Sequence, residues 1–319
     1  FLKTGKRIEH VLEIEPVDPA FTYNFSDQTK IVFPNLSLTG ICNSIERALG
    51  KDAGNQWHNL MQRAEHMWDV SRGPFVESEL KSIFKLLRRK NFLGDLRVIA
   101  PLISLRKLTS RYTTNPYLTK IIDRYATYSG SDPRKVPAVL LTIAFVESTF
   151  GAWHIKGGVG ELATALELRC RDLGVEFFLE TPVTKITYEA QAVTGVMAAS
   201  KFYPTEFVVA NADAQIVYKK LLPDELRVVD SERKKLSKST KSLGGFSLLL
   251  GLDNDKITGQ IPELSHHNIY FPKDYDSEFD DIFLRKIPVS DPTIYICAPK
   301  DSKMVKGENK EAWSVLINA

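Results

Sequence analysis

Apolar residues recur every three or four positions from about residue 35 to 150, and nearly every second position over much of the rest of the chain. The first period is that of a helix with one buried face, the second that of a half-buried strand. LSLTGICNSIERALG, QWHNLMQRAEHMWDV, ESELKSIFKLLRRK and YLTKIIDRYATY therefore read as helices. Ahead of them, AFTYNF and KIVF flank the turn SDQT and read as a hairpin. In SGSDPRKVPAVLLTIAFVESTFG, Ser131 or Asp132 can cap a helix that has Pro133 at its first position. ELATALELRCRDLG is helical, with Gly174 as its stop. After it VEFFLE, VTKITYE, AVTGVMAA and EFVVANA read as short strands, then DAQIVYKKLLP as a helix. FSLLLGL, HNIYF, TIYICA and WSVLIN are further strands between polar loops. The pattern predicts an α+β chain, with a mostly helical block set between β-rich pieces in two domains.

The 319 residues are 43% hydrophobic and 25% charged, an ordinary globular composition. A net charge of +3 is too small to point to nucleic acid. Cys42, Cys170 and Cys297 form no CxxC and no disulfide framework, which places the chain in a reducing compartment, the cytoplasm. The longest apolar run, residues 136–146, has 11 residues, short of a membrane-spanning helix. His266 and His267 are adjacent and would point apart in a strand, while His58 and His66 have no partner at ligand spacing, so no metal site is expected. The chain opens on Phe1 and stops inside the apolar run AWSVLINA, which reads as a piece of a longer chain.

Gly158-Val159-Gly160-Glu161-Leu162-Ala163 is a G-x-G-x-x-A, with Glu176 and Glu180 about twenty residues on. A dinucleotide loop needs a buried parallel strand immediately before its first glycine. ESTFGAWHIK, broken by a glycine and a lysine, is not such a strand. The motif reads instead as a glycine turn that lets backbone pass close to a neighbour, followed by a packing helix.

YSGSDPRKVPAVL, VESTFGAWHIKGGVGELATALE, GVEFFLETPVTKI, FVVANADAQIVYKKLLP and HHNIYFPKDYDSEFDDIF, in this order, resemble the phytoene desaturase family of flavin-dependent carotenoid desaturases. The resemblance covers nearly the whole chain. It implies a two-domain flavoprotein architecture: a partial FAD-binding domain, and a substrate domain with a mixed or antiparallel sheet and a helical block. Residues 1–150 would be the first part of the membrane-facing substrate domain, 151–225 part of the FAD domain, and 226–319 the rest of the substrate domain. The family's dinucleotide fingerprint lies N-terminal to anything present here, and a second flavin-contacting glycine segment lies near its C-terminus; neither is in this sequence. By the same resemblance FAD, in the full-length parent, would sit against the backbone of Val183, near Asn211 and Ala212, and near Gly157 and Gly158, while this chain alone would bind it weakly or not at all and be inactive. Asn211 would alternatively be the cap of the helix after it.

The substrate implied is a long isoprenoid, and no side chain accepts a hydride readily, so the flavin carries the redox step. Glu147 and His154 are the catalytic candidates, although Glu147 would equally close a helix end. Phe145, Phe150 and Trp153 would line an apolar channel or pack in the core. Residues 81–111 hold nine Lys or Arg and one acid among large apolar residues, which suits docking on a bilayer through Arg88, Arg89 and Lys90, or a solvated basic face. The alternatives are a carotene isomerase or carotenoid oxidase on the same frame, and a membrane-associated lipid-binding module without redox activity.

Overall fold

The computed structural model describes residues 2–78, 92–190, 192–223, 226–239, 241–253, 263–307 and 309–319. Two compact units divide the chain: Phe1–Leu166 with Ser242–Ala319, and Glu167–Lys241. The strands are β1 (Ile14–Pro16), β2 (Phe21–Asn24), β3 (Lys30–Phe33), β4 (Trp153–Ile155), β5 (Val183–Glu189), β6 (Ala192–Ala198), β7 (Lys201–Pro204), β8 (Gly245–Asp253), β9 (His267–Tyr270), β10 (Ile294–Cys297) and β11 (Lys310–Asn318). Helices longer than one turn are α1 (Leu38–Leu49), α2 (Lys51–Ser71), α3 (Phe92–Ile99), α4 (Leu105–Thr109), α5 (Pro116–Thr127), α6 (Leu141–Phe150), α7 (Gly160–Asp172), α8 (Arg227–Lys238) and α9 (Tyr275–Asp280).

The first unit is built on a mixed sheet of order β3-β2-β9-β10-β11-β8, in which β2 and β9 run parallel and the other pairs antiparallel. The helical block packs against it. Ser37 caps α1 through its Oγ, which accepts from the Gly40 amide at 3.1 Å, and Gly50 ends the helix at φ 94°. In α2 the residues Trp57, Leu60, Met61, Ala64 and Met67 follow the helical period and are all buried. Asn115 caps α5, with Pro116 in its first turn, and Leu118, Ile121, Ile122 and Tyr125 bury one stripe of it. These side chains join Phe33, Ile45, Ile269 and Phe279 in one core. The mixed sheet and helical block are those the sequence leads one to expect.

Three local expectations give way. The helix expected from Pro133 begins only at Ala138, with one 3₁₀ turn before α6. Pro137 explains this: proline pushes the residue before it out of the helical region and offers no N–H. Asp132 caps a turn instead, its Oδ1 accepting from the Arg134 amide at 2.9 Å. VEFFLE and EFVVANA are not strands. The second unit's sheet is the antiparallel β5-β6-β7, and among the described residues neither segment pairs with a strand in a ladder. The apolar side chains that suggested strands are left exposed, Phe207 at 84% and Val209 at 96%. Asn211 is not the cap of the helix after it, because Asp213 Oδ1 takes the Gln215 amide at 2.8 Å.

The G-x-G-x-x-A follows a strand after all, the three-residue β4. That strand pairs antiparallel with β1 and belongs to no parallel sheet. Gly157 and Gly158 hold φ 87° and 93°, which only glycine adopts without strain. The close neighbour the glycines admit is the turn at 301–304: the Gly157 amide donates to Asp301 Oδ2 at 2.7 Å, and a Cβ on Gly158 would meet Met304 Cε at 3.3 Å.

Candidate active site

Within the first unit, α5, α6 and strands β2, β9, β10 and β11 enclose a cavity of about 500 Å³. Phe21, Trp153, Tyr275 and Tyr295 give it aromatic walls, while Arg124 and Glu147 supply its charge. Arg124 lies on the core side of α5 and is 8% exposed. Its guanidinium carbon stands 5.1 Å from the ring centre of Phe21, 5.6 Å from Tyr23, 4.7 Å from Tyr125 and 5.2 Å from Tyr128. Such ring faces attract a desolvated cation. Arg124 Nη1 donates to Tyr128 Oη at 2.8 Å and Nη2 to Tyr23 Oη at 3.1 Å.

Glu147, from the facing helix α6, closes the network. Tyr125 Oη donates to Glu147 Oε1 at 2.6 Å and Tyr128 Oη to Oε2 at 3.2 Å, while Arg124 Nη2 sits 3.4 Å from Oε1. A half-buried carboxylate needs such polar partners. Burial raises the Tyr125 and Tyr128 hydroxyls above the ordinary phenol range, so both stay protonated and serve as donors. Glycine is required where α6 turns into β4: Gly151 has φ 77°, and a Cβ there would meet Asn35 Oδ1 and Leu36 Cδ2 at 2.7 Å. This turn sets Trp153 on the cavity wall two residues later.

His267 forms part of the opposite wall, stacked on Phe21 with ring centres 5.2 Å apart. Tyr295 Oη lies 2.7 Å from its Nδ1. Burial, reinforced by His266 and Arg124, lowers the His267 imidazole to about 3, so it is neutral and works as a hydrogen-bonding group rather than a cation.

Of the catalytic candidates, Glu147 faces the cavity. His154 does not: it is buried on the other side of β4, with Nε2 2.8 Å from Asp301 Oδ2. Burial acts to raise Asp301, but the hydrogen bonds from His154 and from the Gly157 and Lys303 amides outweigh it and hold the carboxyl at about 2. The channel candidates separate as well. Trp153 lines the cavity, Phe145 packs against the core, and the half-exposed Phe150 meets Trp68 edge-on at 6.2 Å. Arg88, Arg89 and Lys90 lie outside the described residues.

A family model described as flavin containing amine oxidoreductase matches residues 43–253, well over half of the chain. The chain belongs to this family. Among curated relatives it is 28% identical to the zeta-carotene-forming phytoene desaturase of Myxococcus xanthus, over 99% of this chain and 59% of that protein. It is 26% identical to the 4,4'-diapolycopene oxygenase of a Methylomonas species, over 94% of this chain and 58% of the other. The chain thus spans somewhat under two thirds of the relatives it matches. An oxidoreductase from Methanosarcina mazei shares the fold, with a TM-score of 0.57 at 14% identity over 97% of this chain and 62% of that one.

Family membership makes a flavin the expected cofactor. In the second unit β5 is an edge strand, so one side of its backbone faces away from β6. Val183 opens that strand, 41% exposed, beside a register shift between Val183 and Lys185. Asn211 and Ala212 are exposed in the same unit. Gly157 and Gly158 belong to the first unit, and their amides are engaged by Asp301 Oδ2 and the Ile155 carbonyl, so they do not present a phosphate cradle.

Proposed function

We propose that the protein carrying this chain is an FAD-dependent carotenoid desaturase that introduces C=C bonds into a long isoprenoid such as phytoene. The observation that supports the reading most is the cavity itself, aromatic on its walls and charged at one buried pair. Desaturation removes a hydride and a proton from adjacent carbons, and the electrons of the second C–H bond become the new π bond. FAD, when bound, supplies the hydride acceptor. The chain's own residues do the rest. Phe21, Tyr275 and Tyr295 hold the polyene by dispersion and exclude water. Glu147 is the cavity-facing carboxylate that takes the proton, and Tyr125 and Tyr128 hold it in place. The test is to supply phytoene to the flavin-loaded protein and identify the product. A longer conjugated polyene is expected. An isomer with unchanged hydrogen count, or an oxygen-bearing end group of the kind the Methylomonas relative's name describes, overturns the reading.

We further propose that the protein works at the surface of a bilayer, where its substrate dissolves. Phe75 and Val76, just before the basic stretch, are 48% and 64% exposed, and Leu93 and Leu102, within it, are 80% and 99% exposed. Apolar groups beside basic ones suit an interfacial site. Replacing Arg88, Arg89 and Lys90 by Gln is expected to weaken binding to anionic liposomes by up to about 3 kcal/mol, at roughly 1 kcal/mol per charge. The loss should shrink in 1 M salt, where the Debye length is about 3 Å. Equal co-sedimentation of the two proteins at low salt would show that these residues do not face lipid.

A further inference from the structure

Outside the Arg124–Glu147 pair, the described residues bring two imidazoles and a thiol together. Cys297 on β10 is the direct cross-strand partner of His267 on β9, so their side chains share a face of the sheet. His266 precedes β9 and escapes the alternation of the strand. Its ring meets that of His267 with centres 4.4 Å apart, rather than pointing away as two strand neighbours would. One donor atom from each of His266, His267 and Cys297 lies within 4.8 Å of the other two.

We propose that His266, His267 and Cys297 form a binding site for a thiophilic divalent cation of the Zn²⁺ type. Two imidazole nitrogens and one thiolate are a borderline-soft donor set, and they leave a fourth position for water or another small ligand. Zn–N and Zn–S bonds of about 2.0 and 2.3 Å place the donors of a tetrahedral site roughly 3.5 Å apart. Closing the cluster from 4.8 Å therefore takes about 1 Å of side-chain movement.

Two features favour this. Tyr295 Oη holds His267 Nδ1 at 2.7 Å and so fixes the orientation of that ring. His266 also borders an open cleft of about 570 Å³ next to Ser265 and Ala298, which gives the ion a path in. Binding replaces the Cys297 S–H bond by an S–metal bond, and the proton leaves to solvent. The ion would tie β9, β10 and the turn before β9 together, fixing His267 and Tyr295 on the cavity wall. The site is independent of the flavin reading and stands or falls separately.

Cobalt(II) is the probe, added to tag-free full chain. A thiolate-to-cobalt charge-transfer band in the near ultraviolet is expected at one equivalent, and Zn²⁺ should abolish it by displacement. Cys297→Ser should lose the band and bind Zn²⁺ at least tenfold more weakly, since even outer partners of a metal site are worth about 10- to 100-fold. His58→Gln, a change on the exposed face of α2, should leave both unchanged. Circular dichroism checks the fold of each variant, and His266→Gln decides the matter if Cys297→Ser does not fold. Absence of the band in the wild type, or the same band and affinity in a folded ligand variant, overturns the proposal.

Discussion

Arg124→Leu is expected to lower the free energy of unfolding by about 3–5 kcal/mol, the range found when one partner of a buried ion pair is removed. The substitution leaves Glu147 in a pocket where its side chain is only 16% exposed. It also takes a donor from the hydroxyls of Tyr23 and Tyr128 and a cation from four aromatic faces. Replacing both partners, Arg124→Leu with Glu147→Leu, should recover part of the loss, because an apolar pair leaves no uncompensated charge. Denaturant unfolding of the three proteins measures both effects. A loss below about 1 kcal/mol in the single variant would mean that the pair is solvated and that the cavity's charge is not held as described.

Glu147→Gln keeps the shape of the side chain and removes its ability to accept a proton. Turnover should fall about 10²- to 10⁴-fold, the usual contribution of a positioned general base. The variant also leaves Arg124 without its carboxylate, so the rate must be taken per folded, flavin-loaded molecule. Under that normalisation a base role lowers kcat and leaves KM nearly unchanged, whereas a purely structural role raises KM through a distorted cavity. Full turnover in the folded variant would remove Glu147 from the chemistry and leave it as the counter-ion of Arg124.

Much of this site was legible in the sequence, though not its centre. The sequence offers Glu147 as a catalytic candidate and Trp153 as a channel candidate, and both line the cavity. Arg124 was hidden inside YLTKIIDRYATY, where a cation in a helix passes for surface. The signal was its place beside the stripe Leu118, Ile121, Ile122, Tyr125, one turn before Tyr128, on the side that packs inward. His267 and Tyr295 come from strands far apart in sequence, and only the β9–β10 register joins them. Local periodicity holds no such information. It also misread VEFFLE and EFVVANA, because an apolar run becomes a strand only where another strand is present to pair with it.

The central claim is that oxidation of the isoprenoid is a two-electron transfer to the flavin. Flavin-loaded protein mixed with phytoene in liposomes, without oxygen, tests it most directly. Oxidised-flavin absorbance should bleach, with one flavin reduced for each double bond found in the extracted polyene. Bleaching should be about 100-fold slower or more in Glu147→Gln. Double bonds formed with the flavin still oxidised, or a bound flavin that phytoene never reduces, would contradict the account.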